Sequence, residues 1–350
     1  MYKAIGYAAQ TATAPLAPMA FNRRSPRPDD VAIEVLYCGV CHSDIHLARN
    51  EWGMSVYPLM PGHEIVGKVT EVGEKVTKHK VGDLVGVGCM VDSCRHCEAC
   101  AANLEQYCLE GPTLTYASPD RVDGSITMGG YSSSIVVSEH FVVRIPEKLD
   151  PATAAPILCA GITTYSPLKH YGVKAGDKVG ILGMGGLGHM GIKFAKALGA
   201  EVTLFTRSAS KAEEARRQGA DHVIVSTDAE QMEAASGRFD FLLDTIPVQH
   251  DLNPYLQTLR FDGIHILVGL VEPIEPAIHA GNLVMNRRVL AGSLIGGIEE
   301  TQEVLDFCAE HNISCDIEML DIKNINEAYS RMIAGDVKYR FVIDMATLEA

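Results

Sequence analysis

Four cysteines lie close together in one polar stretch of the chain and have the spacing of metal ligands. Cys94, Cys97, Cys100 and Cys108 form the pattern C-x2-C-x2-C-x7-C. Cysteines at such short intervals suit one tetrahedral ion better than disulfides, and zinc sites closed by four thiolates are structural. The sequence therefore predicts a structural zinc ion. His96 lies within the segment, but four thiolates already complete a tetrahedron.

A second set of soft ligands is dispersed along the chain and predicts a catalytic metal. It consists of Cys41 in YCGVCHSDIH, His63 and Glu64 in PGHEIVG, and Cys159 in PILCAGITTY. Taken singly these would be core cysteines and a buried histidine, so their meeting is an inference from the fold. Two thiolates and an imidazole leave one position of zinc open, where the ion can polarise a carbonyl for hydride attack. Glu64 either supports the loop, which we favour, or ligates the metal in place of water.

Polar side chains directly after Cys41 are candidates for proton handling. Asp44 either accepts the second N–H of a metal-bound imidazole or binds the local backbone as a turn residue. Ser43 and His46 predict a short proton relay from the metal site to water, unless HSDIH is only a polar turn. His42 is either a ligand of a cofactor pyrophosphate or a surface histidine.

A glycine-rich motif further along the chain predicts a dinucleotide site. Gly183, Gly185 and Gly188 form G-x-G-x-x-G directly after the apolar run KVGIL, and they open a predicted helix from Gly188 to Leu198. The motif alone is weak, but a preceding strand and a following helix are the context that it requires. Glycines let the backbone approach a pyrophosphate, and the helix N-terminus supplies free N–H groups.

The end of the next predicted strand, EVTLFT, indicates which dinucleotide is bound. A site for NAD places Asp or Glu there to bind the ribose 2′-hydroxyl. This chain has Thr206, Arg207 and Ser208, with Lys211 one turn further on. A carboxylate would repel a 2′-phosphate, whereas an arginine binds it through charge-assisted hydrogen bonds. The sequence therefore predicts NADP(H), the alternative being that Arg207 and Lys211 are only solvated surface charges.

Composition excludes several classes of partner. The formal net charge of −14 provides no basic stripe, so nucleic acid and anionic membranes are poor partners. No run approaches the ~20 apolar residues of a membrane span. The first residues lack the pattern of a secretory signal, so we expect a cytoplasmic enzyme whose thiols stay reduced. Four cysteines outside both metal sets are interpreted as core residues: Cys38, Cys89, Cys308 and Cys315.

The 350 residues divide into two predicted domains. From residue 31 to about 145, short Val- and Ile-rich runs broken by Gly and Pro are typical of a mostly β domain. Helical stretches then alternate with six apolar strands, from KVGILG to VLAGSL, which predicts a doubly wound parallel sheet. The later stretches GIEETQEVLDFCAEH, NINEAYSRMIAGD and YRFVID have no sheet of their own. We therefore predict a discontinuous first domain, residues 1–154 and 296–350, and a nucleotide domain, residues 155–295.

Several long motifs resemble one family. CGVCHSDIH, YPLMPGHEIVG, GDLVGVGCMVDSCRHCEACAANLEQYC, CAGITTYSPL, GMGGLGHMGIKFAKALGA and DVKYRFVID are similar to the zinc-dependent medium-chain alcohol dehydrogenases, in the branch of cinnamyl alcohol dehydrogenase and the broad-specificity NADP-dependent aldehyde reductases. The resemblance covers essentially the whole chain. It implies an α/β fold with a GroES-like β domain, a Rossmann domain and an active site in the cleft between them, in a homodimer that reduces aldehydes with NADPH.

The same resemblance implies roles for individual residues. Cys41, His63 and Cys159 would bind a catalytic zinc and the four clustered cysteines a structural one, giving two ions per chain. Trp52 matches a position at the substrate pocket, but NEWGMSVYP departs from the plant lignin enzymes, which favours a shorter-chain or general aromatic aldehyde. Two rivals remain: a polyol or secondary-alcohol dehydrogenase, and a non-catalytic redox sensor. The residues assigned to the cofactor are His42, Thr163, Gly183, Gly185, Gly186, Leu187, Gly188, Thr206, Arg207, Ser208, Lys211, Ser293 and Ile295.

Overall fold

A computed structural model describes residues 2–269 and 272–349 and divides the chain into two compact units. The first unit combines the residues up to Ile162 with those from Gly296 onward, and the second is Thr163–Ile295. The first unit thus extends beyond the predicted end at residue 154 and includes Cys159. The physical reason is packing: Leu158 fills the space beside Gly86 and Gly88, where an added Cβ would lie 3.0 Å from it.

The strands of the first unit form mostly antiparallel pairs. A sheet runs in the order β16-β17-β3-β4-β5-β9, with β8 also paired to β3, and β1-β2 and β6-β7 form separate pairs. The strand β17 near the C-terminus lies directly beside β3, with Ile343 opposite Cys38. The strands are β1 Tyr2–Ala8, β2 Ala17–Arg23, β3 Asp30–Gly39, β4 Ile65–Val72, β5 Leu84–Val87, β6 Met90–Asp92, β7 Thr113–Leu114, β8 Ser134–Ser138, β9 Val143–Arg144, β16 Ile317–Asp321 and β17 Arg340–Asp344.

The second unit contains six parallel strands in the order β12-β11-β10-β13-β14-β15. The strand order reverses between β10 and β13, the switch point where doubly wound sheets bind ligands. These strands and the β-rich first unit confirm the predicted fold class. The strands are β10 Lys178–Leu182, β11 Glu201–Thr206, β12 His222–Val225, β13 Phe239–Asp244, β14 Leu259–Leu267 and β15 Val289–Gly292.

The helices are short, and most follow strands. The predicted helix after β10 begins at Gly186 and not at Gly188, because Gly185 is extended and acts as its N-cap. Across the described stretches 2–269 and 272–349, no helix has the length and apolarity needed to cross a bilayer. The helices are α1 His42–Ala48, α2 Glu98–Ala101, α3 Pro151–Ala154, α4 Ala160–His170, α5 Gly186–Ala197, α6 Ala212–Arg217, α7 Ala229–Ala234, α8 Asn253–Thr258, α9 Gly281–Val284, α10 Ile298–His311 and α11 Ile325–Ile333.

Apolar side chains fix the second sheet in place. In one cluster the rings of Phe205 and Phe239 meet edge to face, with centroids 5.2 Å apart. Each fully buried side chain of this size contributes about 1.5–3 kcal/mol to folding. This packing therefore fixes the positions of the strand ends, in the second sheet, that carry polar residues. The cluster contains Leu182, Phe205, Ala235, Phe239, Leu242, Leu252, Leu256 and Leu259.

Candidate functional site

The dispersed ligands of the first unit converge. One ligand atom from each of Cys41, His63, Glu64 and Cys159 lies within 4.8 Å of the other three, and the Cys41 and Cys159 sulfurs are 3.9 Å apart. Tetrahedral zinc with Zn–S bonds of about 2.3 Å places its ligand atoms about 3.8 Å from one another. The donor set therefore fits zinc in both chemistry and spacing.

Asp44 is hydrogen-bonded to two of the candidate ligand residues, Cys41 and His63. It is fully buried, and its Oδ1 accepts a hydrogen bond from His63 Nδ1 at 3.0 Å, which leaves Nε2 of that ring to face the other ligands. Its other oxygen, Oδ2, accepts from the Cys41 backbone N–H at 2.9 Å, so one carboxylate is bonded to two of the candidate ligand residues. The Tyr116 and Tyr131 hydroxyls also donate to it, at 2.7 and 3.1 Å. A carboxylate behind a ligating histidine fixes its tautomer and orientation.

Both sulfurs and the imidazole have perturbed acidity. A hydrogen bond from the Cys159 thiol lowers the pKa of Cys41 well below its ordinary value against the effect of burial, and nearby Arg340 and His63 add to this. The same hydrogen bond raises the pKa of Cys159. Burial opposes the charged form of His63, but the Asp44 carboxylate raises its pKa well above the ordinary value. Zinc requires both thiols and Nε2 of His63 to be deprotonated, so a bound ion would displace the protons that these groups hold.

Glu64 is fully buried and forms an ion pair with Arg340 of β17. Its Oε2 has no hydrogen-bond partner among the described residues. The oxygen paired with Arg340 therefore fits the supporting role that we favoured for Glu64. The spacing of the ligand atoms leaves metal binding by this carboxylate open. Sequence reasoning missed Arg340. A charged residue at the start of the strand YRFVID was the available signal.

Cys89, which the sequence predicted to be a core residue, is only partly buried and interacts with the candidate ligand Cys159. Its sulfur is 3.9 Å from the Leu158 carbonyl oxygen, and a hydrogen bond with Cys159 outweighs burial and lowers its pKa. The sequence does carry a signal for this position. Cys89 follows β5, which pairs with β4, and β4 begins directly after Glu64. Cys38, Cys308 and Cys315 are buried, as expected of core cysteines.

The predicted relay residues lie on α1 but are not hydrogen-bonded to each other among the described residues. The Ser43 hydroxyl is 3.7 Å from the Cys41 sulfur, and His46 Nδ1 pairs instead with Glu51 Oε2 at 2.5 Å. No hydrogen bond joins Ser43 to His46 in the part of the chain that the structure describes, because each side chain has another neighbour. The half-exposed Trp52 stacks on His46 with ring centroids 5.1 Å apart. His42 is exposed at the first position of the helix, and Glu51 was not singled out from the sequence.

The four clustered cysteines form a separate and more exposed group. All four sulfurs lie within 4.8 Å of one another, with 3.8 Å between those of Cys94 and Cys100. Backbone N–H groups of Leu109 and Cys97 point at sulfurs, at 3.4 Å from Cys97 Sγ and 3.3 Å from Cys94 Sγ. Backbone N–H groups lower the pKa of Cys97 to about 6, whereas burial raises that of Cys100 to about 12. This donor set also fits one tetrahedral zinc.

His96 lies at the edge of this group. It is exposed, and its Nε2 pairs with Glu110 Oε1 at 3.0 Å, while its Nδ1 lies 2.6 Å from the Cys94 carbonyl oxygen. Because both ring nitrogens of His96 have other partners, we do not count it among the zinc ligands of this group.

In the second unit the glycine loop has the shape that a pyrophosphate needs. Gly183 has φ +86°, and an added Cβ at Gly188 would lie 2.1 Å from the Gly183 carbonyl oxygen, so both positions require glycine. Nothing lies within 4 Å of the Cβ position at Gly185. Gly186 and Leu187 form the first turn of α5, so free N–H groups face the loop.

The residues after β11 carry positive charge and no carboxylate. Thr206 is buried, and Arg207, Ser208 and Lys211 are exposed. Among residues 2–269 and 272–349, no carboxylate lies within ion-pair distance of Arg207 or Lys211. Two unpaired cations at the carboxyl end of this strand suit an added phosphate better than a bare ribose hydroxyl.

Three further predicted cofactor residues are placed at defined positions. Thr163 is buried in α4. Ser293 follows β15, and its backbone N–H donates to the Leu267 carbonyl oxygen at 3.0 Å. It therefore lies at the same carboxyl edge of the parallel sheet as the glycine loop. Ile295 has φ +36°.

Comparison with known proteins assigns the family. The alcohol dehydrogenase GroES-like domain matches residues 27–147, and the zinc-binding dehydrogenase family matches residues 186–310. Aldehyde reductase YahK of Escherichia coli (strain K12) is 54% identical over 347 residues, covering 99% of this chain and 99% of that protein.

Solved structures agree. A cinnamyl alcohol dehydrogenase from Sorghum bicolor has a TM-score of 0.96 and 45% identity, and the Helicobacter pylori enzyme CAD, complexed with NADP(H), has a TM-score of 0.92 and 43% identity. In both, 99% of each chain is covered. The chain therefore belongs to the zinc-dependent medium-chain alcohol dehydrogenases, in the branch of cinnamyl alcohol dehydrogenase.

Proposed function

We propose that this protein is a broad-specificity aldehyde reductase that catalyses NADPH + aldehyde + H⁺ ⇌ primary alcohol + NADP⁺. The observation that carries the proposal is the convergence of Cys41, His63 and Cys159 at the spacing of zinc ligands. When bound, zinc supplies a Lewis acid that polarises the aldehyde oxygen, and NADPH supplies the hydride. The identity to an aldehyde reductase and to a structure complexed with NADP(H) supports this assignment.

The chain's own residues prepare the metal site. Cys41, His63 and Cys159 would hold the catalytic ion, and the four clustered cysteines would hold a second, structural ion. Asp44 keeps the proton of His63 on Nδ1, so that Nε2 is available as a ligand. Glu64, tied to Arg340, supports the loop beside it.

The reduction also consumes a proton, which the residues on α1 are positioned to supply. Ser43 lies beside the Cys41 sulfur, and His46 lies nearer to solvent with Glu51 as its partner. A proton passing between Ser43 and His46 would need a bridging group such as water, because no hydrogen bond joins the two side chains among the described residues. We assign the relay to these residues, with Glu51 exchanging the proton with water.

The cofactor would lie along the carboxyl edge of the second sheet. Gly183, Gly185 and Gly188 would admit the pyrophosphate, with Gly186 and Leu187 supplying N–H groups. Thr206, Arg207, Ser208 and Lys211 would hold the 2′-phosphate. Thr163, Ser293 and Ile295 complete the proposed set of contacts.

Replacing Arg207 with Glu tests the cofactor assignment. The new carboxylate would repel the 2′-phosphate, so we expect NADPH to bind about 10- to 100-fold more weakly while NADH binding changes little. Fluorescence titration with both dinucleotides measures this, and Arg216→Glu is a matched control, because Arg216 on α6 is also exposed and has no ion-pair partner among the described residues. An unaltered preference would remove Arg207 from the site.

Turnover of a substrate panel tests the reaction itself. Because the stretch NEWGMSVYP, which includes Trp52, departs from the plant lignin enzymes, we expect benzaldehyde and butanal to be reduced faster than coniferyl aldehyde. Faster turnover of sorbitol or a secondary alcohol would favour the polyol reading. NADPH binding without oxidation by any aldehyde would indicate a redox sensor.

We also propose a homodimer formed along the open edge of the second sheet. β15 is the last strand of that sheet and has no partner on its outer side among the described residues. Val289 on this strand and Val284, Met285 and Leu294 beside it are exposed apolar residues. A second copy would pair with the strand and cover them. Analytical ultracentrifugation distinguishes dimer from monomer, and a cytoplasmic location stays a prediction from the sequence.

A further inference from the structure

A buried carboxylate in the second unit binds two histidines. Asp244 is the last residue of β13 and is fully buried. Its Oδ2 accepts a hydrogen bond from Nε2 of His265, on β14, and from Nε2 of His250, each at 2.9 Å. His265 is also fully buried, whereas the His250 side chain keeps 15% of its surface exposed. None of these residues belongs to the proposed contacts with the cofactor.

The hydrogen bonds of His250 require it to be positively charged. Its Nδ1 lies 2.8 Å from the Val248 carbonyl oxygen, and its Nε2 lies 2.9 Å from the Asp244 carboxylate. Both partners can only accept. The Val248 oxygen is a carbonyl, and Asp244 is ionised because the two imidazoles hold its pKa below the ordinary value despite burial. A neutral imidazole has one N–H, so only the imidazolium satisfies both contacts. His265 needs only its Nε2 proton, since its Nδ1 has no partner among the described residues.

The segment that His250 closes also contacts the glycine loop. It begins at Thr245, whose hydroxyl donates to the Leu182 carbonyl oxygen at 2.7 Å, directly before Gly183. An added Cβ at Gly183 would lie 3.3 Å from Ile246, and one at Gly188 would lie 3.2 Å from the Thr245 hydroxyl. The Ile246 backbone N–H donates to Asp244 Oδ1 at 3.1 Å. Residues 245–250 therefore connect the charged network to the backbone that would receive the pyrophosphate.

We infer that His250 is a positioning residue: as an imidazolium bound to Asp244 it holds residues 245–250 against the glycine loop, and so makes affinity for the dinucleotide depend on pH. The inference rests on the proposed function, because it assumes that the loop binds NADP(H). It adds a residue that does not touch the cofactor but sets the conformation of the loop that does.

The direction of the pH effect follows from the groups around His250. These are Asp244 of β13, His265 of β14, Asp251 directly after His250, and Tyr255 of α8, whose ring centroid is 6.0 Å away. Burial acts to lower the pKa of His250, but the hydrogen bond and charge of Asp244 outweigh it and raise the pKa. The arrangement in which His250 is bonded to Asp244 is therefore fully stabilised below the ordinary histidine pKa of about 6.5. It loses the stabilisation from this bond as pH rises through the raised pKa of His250.

Fluorescence titration of the full-length protein with NADPH across a pH series, for wild type and His250→Gln, tests the inference. We expect the wild-type dissociation constant to rise about tenfold between low and high pH, since one charge-assisted hydrogen bond is lost. The His250→Gln variant should bind weakly at low pH and lose most of that dependence. At saturating NADPH its kcat should stay within about twofold of wild type while its KM for NADPH rises, because the loop and not the chemistry is disturbed.

Two controls keep the result interpretable. His222→Gln alters an exposed histidine at the start of β12 and should retain the wild-type profile. NMR titration of the histidine ring protons should give a raised pKa for His250 that falls in Asp244→Asn. Superimposable pH profiles for wild type and His250→Gln, with NADPH bound by both, would overturn this inference alone. Failure of the wild type to bind NADPH at every pH would overturn the proposed function as well.

Discussion

The two cysteine-rich sites of the first unit are built in opposite ways. The four-sulfur group lies within residues 94–108 and is held by the backbone, which directs N–H groups at sulfurs. The dispersed group joins residues 41, 63, 64 and 159 and is held by side chains, chiefly the buried carboxylate of Asp44. The first depends on one short segment, and the second on segments that the fold brings together from residue 41 to residue 159.

This difference indicates what each ion would do. A segment with few apolar contacts gains its fixed structure from the metal, so the ion is part of its folding. A site prepared by packed strands keeps its ligands in place and can leave one metal position for a substrate. Three substitutions test the contrast, from the largest expected effect on turnover to the smallest.

Replacing Cys159 with Ser should abolish turnover while leaving the fold intact. The loss of one thiolate weakens metal binding at a site that the strands already hold, so we expect aldehyde reduction to fall about 1000-fold or more. Metal analysis should find one zinc ion lost and the other kept, and thermal melting should change by no more than about 2 °C. A large loss of stability would show that this site is also structural.

Replacing Asp44 with Asn should weaken the same site indirectly. The amide oxygen of Asn can still accept from His63, but the negative charge of the Asp44 carboxylate is lost for every group that donates to it. We therefore expect a 10- to 100-fold loss in zinc affinity or turnover. Zinc release to a chromogenic chelator measures the first and steady-state kinetics the second. Asp344→Asn is the matched control, because it alters a carboxylate on β17 that accepts from the nearby Ala346 backbone N–H. Unchanged zinc release would contradict the supporting role of Asp44.

Replacing Cys100 with Ser should affect stability more than chemistry. We expect the structural ion to be lost and the melting temperature to fall by about 5 °C, with kcat within about threefold of wild type. Differential scanning calorimetry and metal analysis measure these effects. Cys315→Ser, a buried cysteine outside both groups, separates loss of metal from loss of packing. Simultaneous loss of both ions would refute two independent sites.

Sequence predicted most where the information is local. The four-cysteine spacing and the six parallel strands depend on neighbouring residues, and the structure contains both. The predicted start of α5 was wrong by two residues, because a glycine that caps a helix cannot be told from one inside the helix by sequence alone.

The supporting residues of the metal loop could not be predicted in the same way. Tyr116 and Tyr131 reach Asp44 from loops and Arg340 reaches Glu64 from β17, and no spacing in the chain signals that approach. Glu51 was missed although it is near His46 in sequence, because the contact depends on how the chain turns after α1. The network around Asp244 likewise depends on the register of β13 and β14.

The ion pair between Glu64 and Arg340 joins two segments that are far apart along the chain. Glu64 stands directly before β4, Arg340 begins β17, and both side chains are buried. Removing one partner of a buried ion pair leaves an uncompensated charge in the interior, at a cost of about 3–5 kcal/mol. A substitution at Arg340 should therefore disturb the residues around His63 through Glu64, although the two partners are 276 positions apart.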